Sequence, residues 1–372
     1  MSVLIFSGSN DRAVFAFCRL ATIYNVKFFI IANGLDDLIF KSAYKNSVVF
    51  TRVKNELEVS TIVEISDKIK TNQEVNNVLI LPTSEFLNRF LLDNRNQLEN
   101  ESIRIPLCSK SLYEKISDKF SFNELCKKHG LNTPKQFDSA PKTYPFIIKS
   151  RTYFNKNNFV GIKPQIIYNS KEYDEFFSSN NLDQYYFQEY IAGSCYYLLY
   201  YFDKDGSYSV YSQENLIQQS NGGSMILSKS SDIHNQEISK AYASLFVKEK
   251  YHGLIMVELK KFKNKFYMIE ANPRFWGPSQ LIIDASMDLL DRFMLENKLI
   301  KKPKIKLKDY KKDVFYFWSG GLVKDLNRSK SSTFYNFDSN MFIKIYNQIL
   351  KNEIYLKQDT IQCYLSENNY YE

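Results

Sequence analysis

The sequence is poor in the residues that disulfide, zinc or histidine chemistry would need. Its 372 residues contain five cysteines, Cys18, Cys108, Cys126, Cys195 and Cys363, scattered and without a C-x-x-C pair. That argues against a disulfide framework and a zinc site, and for a reducing cytosol. The three histidines, His129, His234 and His252, have no ligand-like spacing. A histidine metal centre and a histidine-driven triad are both disfavoured. No apolar run is long enough to suggest a membrane span. The opening MSVLIFSGSN lacks the basic and apolar regions of a signal peptide and reads as a first strand. There is no G-x-G-x-x-G, so SGSND alone is weak ground for a dinucleotide site or a nicotinamide oxidoreductase. No internal repeat is present.

What remains is an ordinary globular composition, 44% hydrophobic and 24% charged, in a chain with room for two or three domains. The formal charge is +8, and much of the basic excess lies in residues 298–312, KLIKKPKIKLKDYKK. Nucleic acid would use such a patch. No nucleic-acid motif accompanies it, and a solvated, lysine-rich connector is the favoured reading.

Residues 3–6, 13–24 and 27–32 read as strand, helix and strand, the start of a doubly wound α/β sheet. Residues 48–50 and 78–81 read as further strands. The second leads into Pro82-Thr83-Ser84-Glu85, at the same edge as Ser7–Asn10. Ser84 with Glu85 is either a helix cap with an acid in the first turn or a substrate contact. A helix is expected over 117–130, with Ser117 at its cap and Gly130 as its stop. Strands are expected over 144–150, 185–191, 196–202 and 208–211, with Asp203-Lys204-Asp205-Gly206 as a hairpin turn. Short or amphipathic helices are expected over 171–177, 238–250 and 281–297. The last 70 or so residues carry no readable motif.

The most informative stretch is a hairpin. Strand 254–262, a three-residue turn at Lys263-Asn264-Lys265, and strand 266–272 are all charged or apolar in the right places. Alternation puts Met256, Glu258 and Lys260 on one face. It puts Met268, Glu270 and Asn272 on one face of the partner. The turn length sets Glu258 opposite Glu270. Like charges facing across a ladder are destabilising. A hard divalent cation would remove that cost, and Asn272 adds a neutral oxygen. Solvated acids paired with Lys260 are the plainer alternative. Pro273 ends the ladder, and Arg274 offers a planar fork for phosphate or carboxylate.

The run Met-Ile-Glu-Ala-Asn-Pro-Arg-Phe-Trp-Gly, residues 268–277, resembles the metal-binding signature of the ATP-grasp superfamily, closest to its carbamoyl-phosphate-synthase-like carboxylate–amine ligases. By motif the resemblance covers about residues 105–300. It implies an α/β (α+β) protein: a Rossmann-like pre-ATP-grasp domain over 1–105, followed by a two-lobed ATP-grasp fold. The small lobe, with phosphate lysines and lid, would span 106–180. The large lobe with the metal site would span 181–300, and 301–372 would be a C-terminal extension.

The resemblance also implies roles. Lys119, in an Asp-Lys…Gly-Leu-x-Thr-Pro segment, and Lys149, ending YPFIIKS, would face the nucleotide phosphates. Residues 151–163 would be the lid. It holds a single glycine, Gly161, where many members are glycine-rich, and Arg151, Lys156 and Lys163 would substitute as charges. Gln188, Glu189 and Ile191 would meet the nucleotide base and ribose. Glu258, Glu270 and Asn272 would hold Mg2+, or Mn2+ in its place. Ser84, Glu85, Gly223, Ser224 and Arg274 would contact substrate, and Thr83 with them. Arg274 and Lys149 would act in catalysis on bound ATP. The implied reaction activates a small-molecule carboxylate as an acyl phosphate and passes it to an amine. A sugar acid of a surface polysaccharide is one alternative carboxylate, and a catalytically silent ATP-binding regulator is the alternative function. No nucleic acid or membrane partner is implied; a homodimer is compatible, as is a cytoplasmic location.

Overall fold

A computed structural model describes residues 1–53, 55–151, 154–155, 158–161, 164–179, 182–304 and 309–368. Three main sheets and a two-stranded ribbon carry the described residues. The first is parallel, built from β1 (Ser2–Phe6), α1 (Asp11–Tyr24), β2 (Phe28–Asn33), β3 (Val48–Arg52), α2 (Val59–Gln73), β4 (Val78–Ile80), α3 (Glu85–Asp93), α4 (Arg95–Asn100) and β5 (Ile103–Arg104). Its strand order is β3-β2-β1-β4-β5. The apolar runs at 3–6 and 78–80 are buried on both sides, as central parallel strands require. Strand order reverses between β1 and β4. The loops after them therefore open side by side at the carboxyl edge, where such sheets bind ligands.

Helices α5 (Lys110–Ser117) and α6 (Lys119–Lys128) come next. Ser117 closes α5 rather than capping the next helix. Asp118 occupies the cap position, and the expected 117–130 helix begins two residues later. The small sheet holds β6 (Gln136–Phe137), β7 (Phe146–Ser150), β10 (Gln165–Ile167) and β11 (Tyr185–Glu189), in the order β10-β7-β11-β6, with α7 (Ser170–Ser179) packed on it. Between β7 and β10 lies a two-stranded ribbon, β8 (Phe154–Asn155) with β9 (Asn158–Gly161). Lys156 and Lys163 of the expected lid lie outside the described residues.

The large sheet is antiparallel. It comprises β12 (Ser194–Phe202), β13 (Tyr208–Gln218), β14 (Met225–Ser231), β15 (Gly253–Phe262) and β16 (Lys265–Asn272), with α8 (Glu237–Lys248) before β15. Two short helices follow, α9 (Ser279–Asp284) and α10 (Leu289–Glu296), where one helix over 281–297 was expected. The break falls at Ser286, which adopts a positive φ of 56°. The final stretch is built into the fold. β17 (Phe315–Phe317) extends the large sheet beyond β14, and β18 (Thr333–Phe334) pairs with β13. Helices α11 (Ser319–Asn327), α12 (Ser339–Leu350) and α13 (Ile361–Asn368) complete it. No helix among the described residues is long and apolar enough to cross a membrane. All five cysteines are buried free thiols.

Candidate active site

The β15–β16 hairpin is the centre of the site, and it is built differently from the expectation. Phe262 pairs with Lys265, so the turn has two residues, Lys263 and Asn264, both at positive φ (46° and 59°). That is a type I′ turn, which matches the twist of the strands it joins. The expected three-residue turn would have put the extra residue at the tip. Here it sits inside β16: Leu259 pairs with Met268 and Glu258 with Glu270, leaving Ile269 as a β-bulge. The two glutamates still face each other. Met268, however, does not share their face. It packs with Ile255, Val257 and Leu259 on one side of the sheet, while Met256 belongs to the core on the other.

The bulge also frees a carbonyl. Lys149 Nζ, at the end of β7, donates to Ile269 O at 3.1 Å. Lys149 is only 3% exposed, and burial, then the Lys119 ammonium, lower its pKa to about 8. Lys119, the first residue of α6, pairs with the Glu270 carboxylate. Asn272 Nδ2 donates to the other Glu270 oxygen at 2.9 Å. Burial opposes ionisation of Glu270, but Lys119 and Asn272 outweigh it and hold its carboxyl well below the ordinary range. Glu258 has the opposite fate. Burial, then the Glu270 charge, push its carboxyl up. Its hydrogen-bond partner is the Cys195 thiol at 3.5 Å, while Lys260 on the same strand lies over the Tyr335 ring at 3.5 Å.

Arg274 Nη2 donates to Asn272 Oδ1 at 3.1 Å and Nη1 to Phe275 O at 3.0 Å. Its Nε is buried without a partner among the described residues. Asn10 ties the site to the parallel sheet, donating through Nδ2 to Thr83 O at 3.0 Å and Phe275 O at 3.1 Å. Gly8 turns the chain out of β1 with φ 86°, and a Cβ there would lie 2.2 Å from Asn33 Cβ.

These elements enclose a cavity of about 500 Å³. Glu258, Glu270, Asn272 and Lys119 line one part. Ser9, Asn10, Arg12, Ser84, Glu85, Asn221, Gly223, Ser224, Arg274 and Trp276 line the rest. Glu85 is at the wall but engaged elsewhere: Arg89 Nε holds one oxygen at 2.8 Å and Tyr113 OH the other at 2.7 Å. Ser84 caps α3 by accepting from Leu87 N at 3.3 Å. Gly223 and Ser224 belong to a loop clamped by the C-terminal stretch, with Ser220 N donating to Asp325 at 2.9 Å and Gln219 Nε2 to Gly321 O at 3.1 Å.

Gln188, Glu189 and Ile191 lie outside the cavity's lining. Ile191 is buried, and Glu189 is exposed, accepting from Lys135 N at 3.4 Å. Gln188 lies on the same face of β11 as Tyr186, which stands opposite Lys149. Its amide is buried, and neither its nitrogen nor its oxygen has a partner among the described residues. Sequence reasoning set Ser7–Asn10 at the ligand edge but gave Asn10 no role, and it missed Arg12, which sits in the first turn of an ordinary amphipathic helix with no motif to mark it.

Chemically, the hairpin offers a hard cation two carboxylates and an amide oxygen. Glu258 has no ammonium in hydrogen-bond contact among the described residues, which is the condition a divalent ion relieves. Lys119, Lys149 and Arg274 add donors for an anion bound to that cation.

Three sheets meeting at one cavity make this a mixed α/β protein with its site at the junction. No family model and no curated protein matches the chain by sequence. Solved structures do match. Biotin carboxylase from Campylobacter jejuni, solved as a β-γ-ATP complex, superposes with a TM-score of 0.60 at 14% identity, over 84% of this chain and 74% of that one. The biotin carboxylase domain of 2-oxoglutarate carboxylase from Hydrogenobacter thermophilus, solved with MgADP and bicarbonate, gives 0.60 at 13% identity, over 84% and 73%. The L-amino acid ligase from Bacillus licheniformis gives 0.56 at 15%, over 83% and 76%. Biotin carboxylase and the L-amino acid ligase are ATP-grasp enzymes, and this chain has the ATP-grasp fold.

Proposed function

We propose that the protein is an ATP-dependent carboxylate–amine ligase. The observation that carries this is the opposed Glu258–Glu270 pair, with Asn272 and Arg274 beside it and Lys119 and Lys149 anchored to the same strand. In this reading residues 1–105 complete the acceptor pocket, 106–180 and 181–300 are the two lobes around the nucleotide, and 301–372 close the acceptor end. Glu258, Glu270 and Asn272 would hold Mg2+, which neutralises phosphate charge when bound. Lys119 and Lys149 would hold phosphate oxygens. Gln188, with both amide atoms unpaired among the described residues, would meet the nucleotide from the small sheet.

A carboxylate oxygen of the acceptor attacks the γ-phosphorus, and the bond to the β–γ bridging oxygen breaks. ADP leaves, and an acyl phosphate remains. Arg274, whose Nε has no partner among the described residues, would orient the carboxylate and the transferred group. The amine nitrogen then attacks the acyl carbon. Inorganic phosphate leaves, and the nitrogen loses a proton to give an amide. The neighbours' bound ligands, MgADP and bicarbonate in one case, support the nucleotide and the carboxylate class.

The test is ADP and phosphate release from Mg-ATP, with pooled carboxylic acids and pooled amines including ammonia. Release is expected only with both pools present. Glu270→Gln should abolish it while leaving the protein folded. Turnover of that variant at the wild-type rate would remove the metal assignment.

A further inference from the structure

Arg12 projects from the first turn of α1 into the cavity wall. Nη1 donates to Met225 O at 3.0 Å and Tyr316 OH at 3.2 Å. Nε and Nη2 have no hydrogen-bond partner among the described residues, and no carboxylate pairs with the guanidinium there. Its seat is specific. The guanidinium carbon lies 3.9 Å from the Trp318 ring centroid, a stacked cation–π contact. Trp318 is held in turn by Glu367, which accepts from its Nε1 at 2.7 Å and pairs with Lys324 at 2.7 Å. On the other side is Gly277, where a Cβ would come within 2.9 Å of the guanidinium. So residues from both ends of the chain fix a planar cation with an open donor edge.

Resting on the ligase reading, we infer that Arg12 binds a second anionic group of the acceptor, making the substrate class a small acid that carries two anionic groups. Arg274 and the glutamate pair serve the carboxylate that reacts. Arg12, on a different element, holds the distal carboxylate or phosphate. A planar fork suits either oxyanion, and its fixed orientation selects acids by the spacing of their two charges. The C-terminal segment thereby has a role: it builds the floor beneath the specificity-determining arginine.

The test uses the full chain and acids of three to six carbons in two matched sets, dicarboxylic or phosphorylated acids against monocarboxylic acids of equal length. Binding is read without nucleotide by calorimetry, and ADP release is read with Mg-ATP and pooled amines. Wild type should bind and turn over members of the first set alone. Arg12→Met should raise KM for them by about ten- to a hundredfold, the worth of one or two charge-assisted hydrogen bonds, with a smaller change in kcat. Arg12→Lys should recover part of the loss. If Arg12→Met does not fold, Gly277→Ala displaces the guanidinium instead and should raise the same KM. Equal binding by wild type and Arg12→Met, a preference for monocarboxylic acids, or no binding by any dianionic acid overturns the inference. Binding lost in Arg12→Met with no ADP release under any pair upholds the subsite and removes the ligase reading.

Discussion

Replacing Glu258 with Gln should stabilise the protein without ligand and weaken its response to Mg-ATP. Glu258 is 6% exposed and stands across the ladder from another carboxylate. Lys119 is committed to Glu270, Lys149 to Ile269 O, and Lys260 lies over Tyr335. Among the described residues, Glu258 has only a thiol at hydrogen-bond distance. A buried charge in that position costs stability, and replacing it by a neutral isostere typically returns about 1–3 kcal/mol. The Gln amide could also donate to Glu270. For a chain of this length the entropy of unfolding makes 1 kcal/mol worth on the order of 1 °C in Tm. Glu258→Gln should therefore raise Tm by about 1–4 °C. At a Mg-ATP concentration of about 100 Kd, wild type should gain about 2.7 kcal/mol. A variant binding about 100-fold more weakly would gain about 0.4 kcal/mol. The measurement is a thermal unfolding scan of both proteins with and without Mg-ATP. Glu270→Gln is the control of opposite sign, since it strands Lys119 and should lower Tm without ligand. A fall in Tm for ligand-free Glu258→Gln, or an undiminished Mg-ATP shift, would refute the electrostatic account of the pair.

Arg89→Met should cost about 3 kcal/mol, because it leaves the buried Glu85 and the partly exposed Asp118 without the guanidinium that holds them at 2.8 and 2.9 Å; denaturant midpoints measure it, and a loss under 1 kcal/mol would restore Glu85 as a candidate substrate contact. Asp11 is pushed up to about 6, by burial first and by Asp37 next, against the Gly8 N–H that favours its ionised form. A raised carboxyl stabilises the fold below its unfolded value and loses that contribution as pH rises through about 6. Asp11→Asn should therefore exceed wild type in stability at pH 7.5 by about 1–2 kcal/mol after screening, with the gap closing by about pH 4; denaturant midpoints at both pH values check it, and a gap that widens on acidification is the contrary result. Deleting Ile269 should preserve the Glu258–Glu270 pairing but remove the carbonyl that seats Lys149; nucleotide titration should show affinity weaker by about tenfold or more, with the fold retained by circular dichroism.

What could be read from the sequence was what the chain keeps close together. The hairpin's two glutamates, Asn272 and Arg274 fall within 17 consecutive residues, and alternation places them without knowledge of the rest. The parallel sheet was legible because fully buried strands admit little but Val, Ile, Leu and Phe. The bulge was not legible. An extra residue in the turn and an extra residue at Ile269 give the same glutamate register, and the tip's Lys263 is a poor sign of a positive φ. Arg12 was hidden for another reason. Its partner Tyr316 is 304 residues away, and its stacking partner Trp318 lies in the stretch that carried no motif. The pairing of α5 with α6 was missed because Ser117 makes as good a cap as Asp118 on paper.

β16 is the edge of the large sheet, so its outward backbone groups have no neighbouring strand. Edges of that kind need covering. Here Met268 N donates to Asn132 O at 2.9 Å, and the next outward group, Ile269 O, accepts from Lys149. The segment after α6 and the end of β7 are thus docked on successive residues of one strand, the strand whose following residue is Glu270. Glu270 in turn takes Lys119 from the start of α6. The positions of both lysines are consequently set by the β15–β16 hairpin, Lys149 through a backbone carbonyl and Lys119 through the Glu270 carboxylate. A shift of the small sheet that breaks the Lys149 bond would leave a buried ammonium unsatisfied, so the sheet and the hairpin move together unless an anion replaces the carbonyl. A bound phosphate oxygen is such an anion. Nucleotide binding would then exchange one acceptor of Lys149 for another, and the edge strand would be the point at which the small sheet registers whether the site is filled.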